Sequence, residues 1–354
     1  MQHKRFCAKI RWLLLPLVLV FSLGASAEPT FNIAWSIYAG WMPWDYAAQS
    51  GILKKWADKY HIKINLVQVN DYVESINQYT AGKFVGCAMT NMDALTIPAA
   101  SGVDSSAIIM GDYSNGNDGI VLKGKTSLKD IKGQRVNLVS LSVSEYLLAR
   151  ALQFEGMSEK DVTLVNTSDS DIVSSFQSSD VTAAVTWNPM LSVIKKQPGA
   201  HEVFSSHMIP GEIQDLMVVK TKVLKKHPEL AKALTGAWYE TMKIMTAKNA
   251  KANAALRMMA KASGTNLANY KSQLKTTYMF YAPDKAVQET TSPKLKMTMA
   301  RIAKFSFGHG LLGDSAPDAT FIGIKTPAGT FGDKSNIKLR FDPTYMKLAA
   351  EGKL

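Results

Sequence analysis

Hydrophobic positions along this chain recur with two periods in turn, short runs of period two and longer stretches of period near 3.6. This alternation predicts strands and helices in α/β layers. Phe31–Trp35 reads as a strand and Pro43–Lys59 as a helix, followed by a strand over Ile62–Val69. A helix is expected over Asp71–Gly82, with Asp71 as its cap and Gly82 just past its end. Then come a strand at Phe84–Met89, a helix at Asn91–Ser101 and a strand at Ser106–Gly111.

The run Asp112-Tyr113-Ser114-Asn115-Gly116-Asn117-Asp118-Gly119 interrupts this pattern with turn-forming residues. A second alternating unit follows: strand Gln134–Val139, helix Ser142–Gly156, strand Val162–Asn166, helix Asp169–Ser178 and strand Thr182–Trp187, with Pro189 opening a further helix. Pro210–Val219 again mixes turn formers with a strand, and Lys222–Lys248 is helical around a start at His227-Pro228-Glu229. From Lys271 onward helices return before a tail rich in Gly, Pro and Asp. Two α/β units joined by two crossings predict a bilobed clamp with a hinge, whose ligand would sit between strand ends of both halves. The expected division is residues 28–117 for the first lobe, 118–213 for the second, 214–304 for the return to the first, and 305–354 for an extension packing on it.

Length changes the picture little: 354 residues exceed what one small core needs. The N-terminus changes it more. Lys4, Arg5, Lys9 and Arg11 precede the apolar run Trp12–Phe21, and Ala25-Ser26-Ala27 supplies small residues for cleavage, the pattern of a signal peptide spanning residues 1–27. Its apolar run is too short to cross a hydrocarbon core, which takes about 20 residues. Cleavage after Ala27 would remove Cys7 and four basic residues, taking the formal charge from +12 to +8. Cys87 would then stand alone, which excludes an intramolecular disulfide in the mature chain, and it reads as a small buried strand residue. Lysines and arginines are spread along the chain without interleaved aromatics, so nucleic acid is not an expected partner.

Gly119–Thr126 matches the phosphate-loop expression G-x-x-x-x-G-K-[ST], but its four middle residues are strand formers rather than a loop. His201, His207, His227 and His309 show no metal-ligand spacing, and no G-x-S-x-G elbow is present. Neither an enzyme nor a cofactor is expected.

Five segments carry a resemblance. They are Gln49-Ser50-Gly51-Ile52-Leu53-Lys54-Lys55, Tyr79-Thr80-Ala81-Gly82-Lys83, Ser127–Val136, Tyr146–Leu152 and Thr186-Trp187-Asn188-Pro189. In order and spacing the chain resembles the periplasmic substrate-binding proteins for alkanesulfonates, taurine, nitrate and thiamin-pyrimidine precursors. Gly111–Asp118 and the long tail resemble the subgroup associated with urea or guanidine carboxylases. The resemblance implies a type II periplasmic-binding fold, periplasmic location, a small-molecule ligand, and an inner-membrane ABC permease with its ATPase as partners. A monomer is expected.

The loop after the first strand holds Trp35, Tyr38, Trp41 and Trp44, followed by Asp45. Ring faces beside a carboxylate suit a planar cation, although the same aromatics could fill a core and Asp45 could serve a helix's first turn. In relatives that bind sulfonate or nitrate, a helix N-terminus faces the anion near Ser142. Here Ser142-x-x-Glu145 is a capping box whose carboxylate disfavours an anion. Asp93, Asp112, Tyr113, Asp118 and Asp215 lie at strand ends and crossings, where cleft residues and ordinary turn residues both occur. Trp187, at the end of a second-lobe strand, is placed to stack on a ligand. The expected ligand is therefore guanidine or urea, held by Trp41, Trp44, Asp45, Asp93, Tyr113, Asp118, Ser142, Glu145, Trp187 and Asp215. The alternatives are an anion (nitrate, taurine or another sulfonate) or a thiamin-pyrimidine precursor in the same fold.

Overall fold

In this computed structural model, residues 28–354 are described, so the leader expected over residues 1–27 lies outside the described residues. The chain builds two sheets. The first receives β1 (Thr30–Trp35), β2 (Lys63–Gln68), β3 (Gly86–Thr90) and β4 (Ser105–Ser114). The chain then crosses to a second sheet of β5 (Asp118–Lys123), β6 (Arg135–Leu138), β7 (Thr163–Asn166), β8 (Ala183–Trp187) and β9 (Ala200–Ser205). It returns to the first sheet through β10 (Gln214–Lys220), β11 (Thr277–Met279), β12 (Gly323–Thr326), β13 (Gly329–Phe331) and β14 (Ile337–Phe341). The first sheet runs β13-β12-β14-β4-β10-β3-β1-β2, with β11 beside β4, and the second runs β7-β6-β8-β5-β9.

Parallel pairing of β1 with β2 and β3 places the C-terminal ends of β1 and β3 on one edge. The antiparallel strand β10 brings its N-terminal end to that same edge, Asp215 opposite Thr90. In the second sheet the antiparallel pair β5–β8 sets Asp118 opposite Trp187. Strand ends from both sheets thus face one crevice, where open α/β sheets hold their ligands. Central strands β3 and β4 are buried along almost their whole length, which explains their near-continuous small and apolar side chains. Cys87 is buried in β3, and burial pushes its thiol up to about 12.

Several elements depart from the pattern-based expectations for local reasons. The helix expected over Pro43–Lys59 is two helices, Met42–Gln49 and Ile52–Lys59, because Gly51 turns the chain in the left-handed region at φ 78°. The expected helix from Asn91 ends after one α turn, Asn91–Ala94. It widens into a π-type turn, Leu95–Ala99, around Pro98, which has no N–H for an i−4 carbonyl. The polar stretch that looked like a turn is strand as far as Ser114, leaving only residues 115–117 to make the first crossing. The stretch Lys222–Lys248 divides at Pro228, which starts the helix Pro228–Thr246. The tail, for which no strands were expected, adds β12, β13 and β14 to the first sheet. The phosphate-loop match falls across β5, as strand. No helix among the described residues is long and apolar enough to cross a membrane.

Candidate functional site

The two sheets meet around a small cavity of about 20 Å³ open to the centres of water-sized molecules. A single water needs roughly 10–15 Å³ on that measure, so in this closed arrangement only a compact guest fits. The loop after β1 supplies Tyr38 and Trp41, the helix Tyr72–Thr80 supplies Tyr72, and β3 and β10 supply Thr90 and Asp215, with Ile213 just before. From the second sheet come Asp118 at the start of β5, Trp187 at the end of β8, and Val143 at the start of the helix Val143–Phe154.

The aromatic wall is continuous. Tyr38 meets Trp41 at 5.1 Å between ring centroids, Trp41 meets Tyr72 at 5.6 Å, and Tyr72 meets Trp187 edge-to-face at 5.6 Å across the lobes. Main-chain contacts close the clamp at the same level. The Ala39 N–H donates to the Asn188 carbonyl at 3.2 Å, and the Tyr72 N–H donates to Asp169 Oδ1 at 3.2 Å.

Four buried aspartates gather at or directly behind this wall: Asp93, Asp112, Asp118 and Asp215. The Tyr72 hydroxyl donates to Asp93 Oδ2 at 2.5 Å and the Thr90 hydroxyl donates at 2.8 Å. The Tyr38 hydroxyl donates to Asp112 Oδ1 at 2.9 Å, and the Ser114 hydroxyl bonds Asp118. Asp93 Oδ1, Asp112 Oδ2 and Asp215 Oδ2 accept no bond from the described residues. Burial pushes Asp118 up to about 7 and Asp93 up to about 6, the latter opposed by bonds from Tyr72, Thr90 and the Val143 amide. Asp112 and Asp215 are both raised, first by burial; each also feels its neighbouring carboxyls. No lysine, arginine or histidine is among the described residues lining the cavity. The cavity therefore offers oxygen acceptors and π faces, while the nearby tyrosine and threonine hydroxyls are already committed to carboxylates. Such a surface satisfies a flat N–H donor carrying positive charge and leaves an anion without donors.

The structure separates the sequence candidates. Trp41, Asp118, Trp187 and Asp215 line the cavity, and Asp93 stands immediately behind Thr90 and Tyr72. Trp44 does not reach it: one helical turn beyond Trp41, it packs on Trp238 at 4.8 Å in the core. Asp45 lies on the outer face of its helix, accepting from Gln49 Nε2 at 2.7 Å. Tyr113 stacks on Tyr278 at 4.7 Å and an interplanar angle of 9°, away from the cavity. Ser142 caps its helix by accepting from the Ser144 N–H at 3.2 Å. Glu145 reaches back to the Leu141 N–H at 2.6 Å, one residue upstream of the expected capping-box partner, because Leu141 takes a positive φ of 63°. The helix N-terminus is thus occupied by the protein's own groups, with Val143 facing Asp93 across the lobes. Tyr72 and Thr90 escaped the sequence reading. An aromatic directly after the Asp71 cap, at the same sheet edge as Trp41, was the available signal for Tyr72.

The fold is that of the periplasmic binding proteins: two α/β sheets, two short crossings and a ring-walled cavity between them. The chain belongs to the NMT1/THI5 like family, whose model matches residues 50–252. A Brucella abortus protein named as a binding protein is 27% identical over 157 residues, 44% of this chain and 49% of its own length. The taurine-binding periplasmic protein of Escherichia coli is 25% identical over 144 residues, 39% of this chain and 44% of its own length. The chain thus spans about half the length of the curated relatives it matches. Among solved structures, the alkanesulfonate-binding protein of Xanthomonas axonopodis pv. citri, bound to MOPS, superposes with a TM-score of 0.67 at 16% identity, over 82% of this chain and 96% of that one. The periplasmic nitrate-binding protein of Synechocystis PCC 6803 superposes at 0.57 and 11% identity, over 92% and 99%. Likeness at such identities speaks for the fold alone.

Proposed function

We propose that this protein is the periplasmic solute-binding component of an ABC importer, and that its lobes close on a small planar nitrogen compound, guanidinium in preference to urea. The observation carrying this reading is the gathering of Asp93, Asp112, Asp118 and Asp215 at a ring-walled cavity lined by no described basic residue. The class of protein is supported by relatives named as binding proteins, one of them periplasmic. The taurine and alkanesulfonate named for two similar proteins each carry an anionic sulfonate group, and the reading departs from them there because a buried carboxylate cluster repels such a group and pairs with a cation. Secretion would follow cleavage after Ala27, and the closed form would be what the permease and its ATPase receive.

Thermal melts of residues 28–354 with millimolar guanidinium, urea, nitrate and taurine test this. A ligand at 100 times its Kd stabilises by about 2.7 kcal/mol, a rise of roughly 4 °C for a chain of this size. A rise with guanidinium is expected; a rise with nitrate or taurine alone would overturn the reading. Trp187→Ala removes one ring face, so titration should show guanidinium binding weakened about two- to thirtyfold, the worth of a cation–π contact. Its circular dichroism should stay that of the parent. Unchanged affinity would remove Trp187 from the cavity's working wall.

A further inference from the structure

Asp112 and Asp215 are direct partners on neighbouring strands β4 and β10, with a register irregularity immediately after Asp215. Their side chains are 0% and 3% exposed, and one oxygen of each, Asp112 Oδ2 and Asp215 Oδ2, accepts no bond from the described residues. The aromatic loop presses on the pair: a Cβ at position 40 would collide with both the Tyr38 ring and Asp112 Oδ2, so only glycine lets the main chain close this far. The groups facing the pair are Tyr38 from that loop, Asp118 from β5, Tyr270 from the helix Leu267–Leu274, and Tyr281 just before the helix Pro283–Thr291. None of them supplies positive charge. Two carboxyl groups so placed resist ionising together in a dry site, which favours one proton shared between them.

We propose that Asp112 and Asp215 are the charge filter of the cleft, and that a cationic ligand enters by displacing the proton the pair holds. The step rests on the reading of the cleft as a cation site. One O–H bond breaks, the proton passes to water or buffer, and ligand N–H groups take its place on the carboxylate of Asp215, the member of the pair that lines the cavity. The total charge inside the closed cleft is unchanged by the exchange. A neutral isostere meets a pair already satisfied by its proton and has no charge to offer in return. The filter therefore discriminates guanidinium from urea, two molecules of nearly the same shape, by charge rather than by size.

The test is isothermal titration of guanidinium chloride, below denaturing concentrations, into residues 28–354 at pH 8. It is run in buffers of low and high ionisation enthalpy, with urea titrated alongside. This pH lies above the values of about 6 and 7 to which burial brings Asp93 and Asp118, so those two contribute little to any proton released there. About one proton is expected to leave per guanidinium bound, and none per urea. For one exchanged proton, the guanidinium Kd should fall about tenfold for each pH unit raised. Asp215→Asn should bring the proton count near zero and flatten that slope while circular dichroism stays unchanged. Should this variant fail to fold, the buffer series on the parent protein still decides. Guanidinium binding with buffer-independent heat and pH-independent affinity would overturn the proton exchange and leave the cation site standing. Binding of nitrate or taurine with none of guanidinium would overturn both.

Discussion

Asp118→Asn weakens guanidinium binding by about 2–5 kcal/mol, between roughly thirtyfold and several thousandfold, the cost of removing one partner of a buried charge pair. Asp118 opens β5 opposite Trp187, so its carboxylate stands beside the ring face that the second lobe contributes. Ser114 orients it, donating through its hydroxyl. The same substitution leaves the ligand-free protein as stable as the parent or more so. The carboxyl is fully buried, its ionised form is penalised by desolvation and by Asp93, and an amide of the same shape avoids both costs. Titration calorimetry and thermal melts at pH 7 measure the two effects separately. Affinity within threefold of the parent would show that the ligand does not reach Asp118. A collapse of the melting temperature would show that this carboxylate serves the fold.

Raising the pH from 5 to 8 opens the ligand-free clamp, and guanidinium closes it again. In the closed form burial raises Asp118 from its ordinary 3.8 to about 7 and Asp93 from 3.8 to about 6. Opened lobes let both carboxylates hydrate and return towards ordinary values. The closed state therefore holds protons more tightly, is favoured at low pH, and loses that advantage as pH rises from about 4 to 7. At 1.36 kcal/mol per unit, three units on Asp118 are worth about 4 kcal/mol and two on Asp93 about 3 kcal/mol. Of this, the part lost between pH 5 and pH 8 is about two units on Asp118 and one on Asp93, roughly 4 kcal/mol, against the roughly 5.5 kcal/mol that moves a two-state equilibrium from 1:99 to 99:1. Small-angle scattering at pH 5 and pH 8, with and without guanidinium, reads the change as a radius of gyration. Equal radii at both pH values without ligand would mean that closure does not bury these carboxylates.

The residues of the cavity were unequally legible. Trp187, Asp118 and Asp215 could be picked out because strand ends and crossings are visible in the hydrophobic pattern. Position at a strand end is most of what places a side chain in a cleft. Trp41 and Trp44 had equal claims as sequence, three residues apart in one aromatic cluster. They part company because Trp41 precedes the helix and faces the crevice, whereas Trp44, inside it, packs on Trp238 from a distant helix. Asp45 and Tyr113 were drawn to the site by residue type, and each has its partner elsewhere: Gln49 for the one, Tyr278 for the other. Tyr72 went unnoticed because its role comes from the Trp41 and Trp187 rings on either side, and neither neighbour is close to it in the chain.

The order of strands and helices as far as β8, the two changes of lobe and the supply of rings and acids at strand ends were set by local pattern. Alternation, turn chemistry and helix caps act over a few residues and are written in consecutive positions. The pairing of Asp112 with Asp215, the meeting of Asp118 with Trp187 and the facing of Val143 and Asp93 across the lobes depended on the assembled fold. Each joins residues separated by dozens of positions, through strand register and lobe closure. Only that convergence makes a set of ordinary aspartates one desolvated, proton-sharing acceptor site.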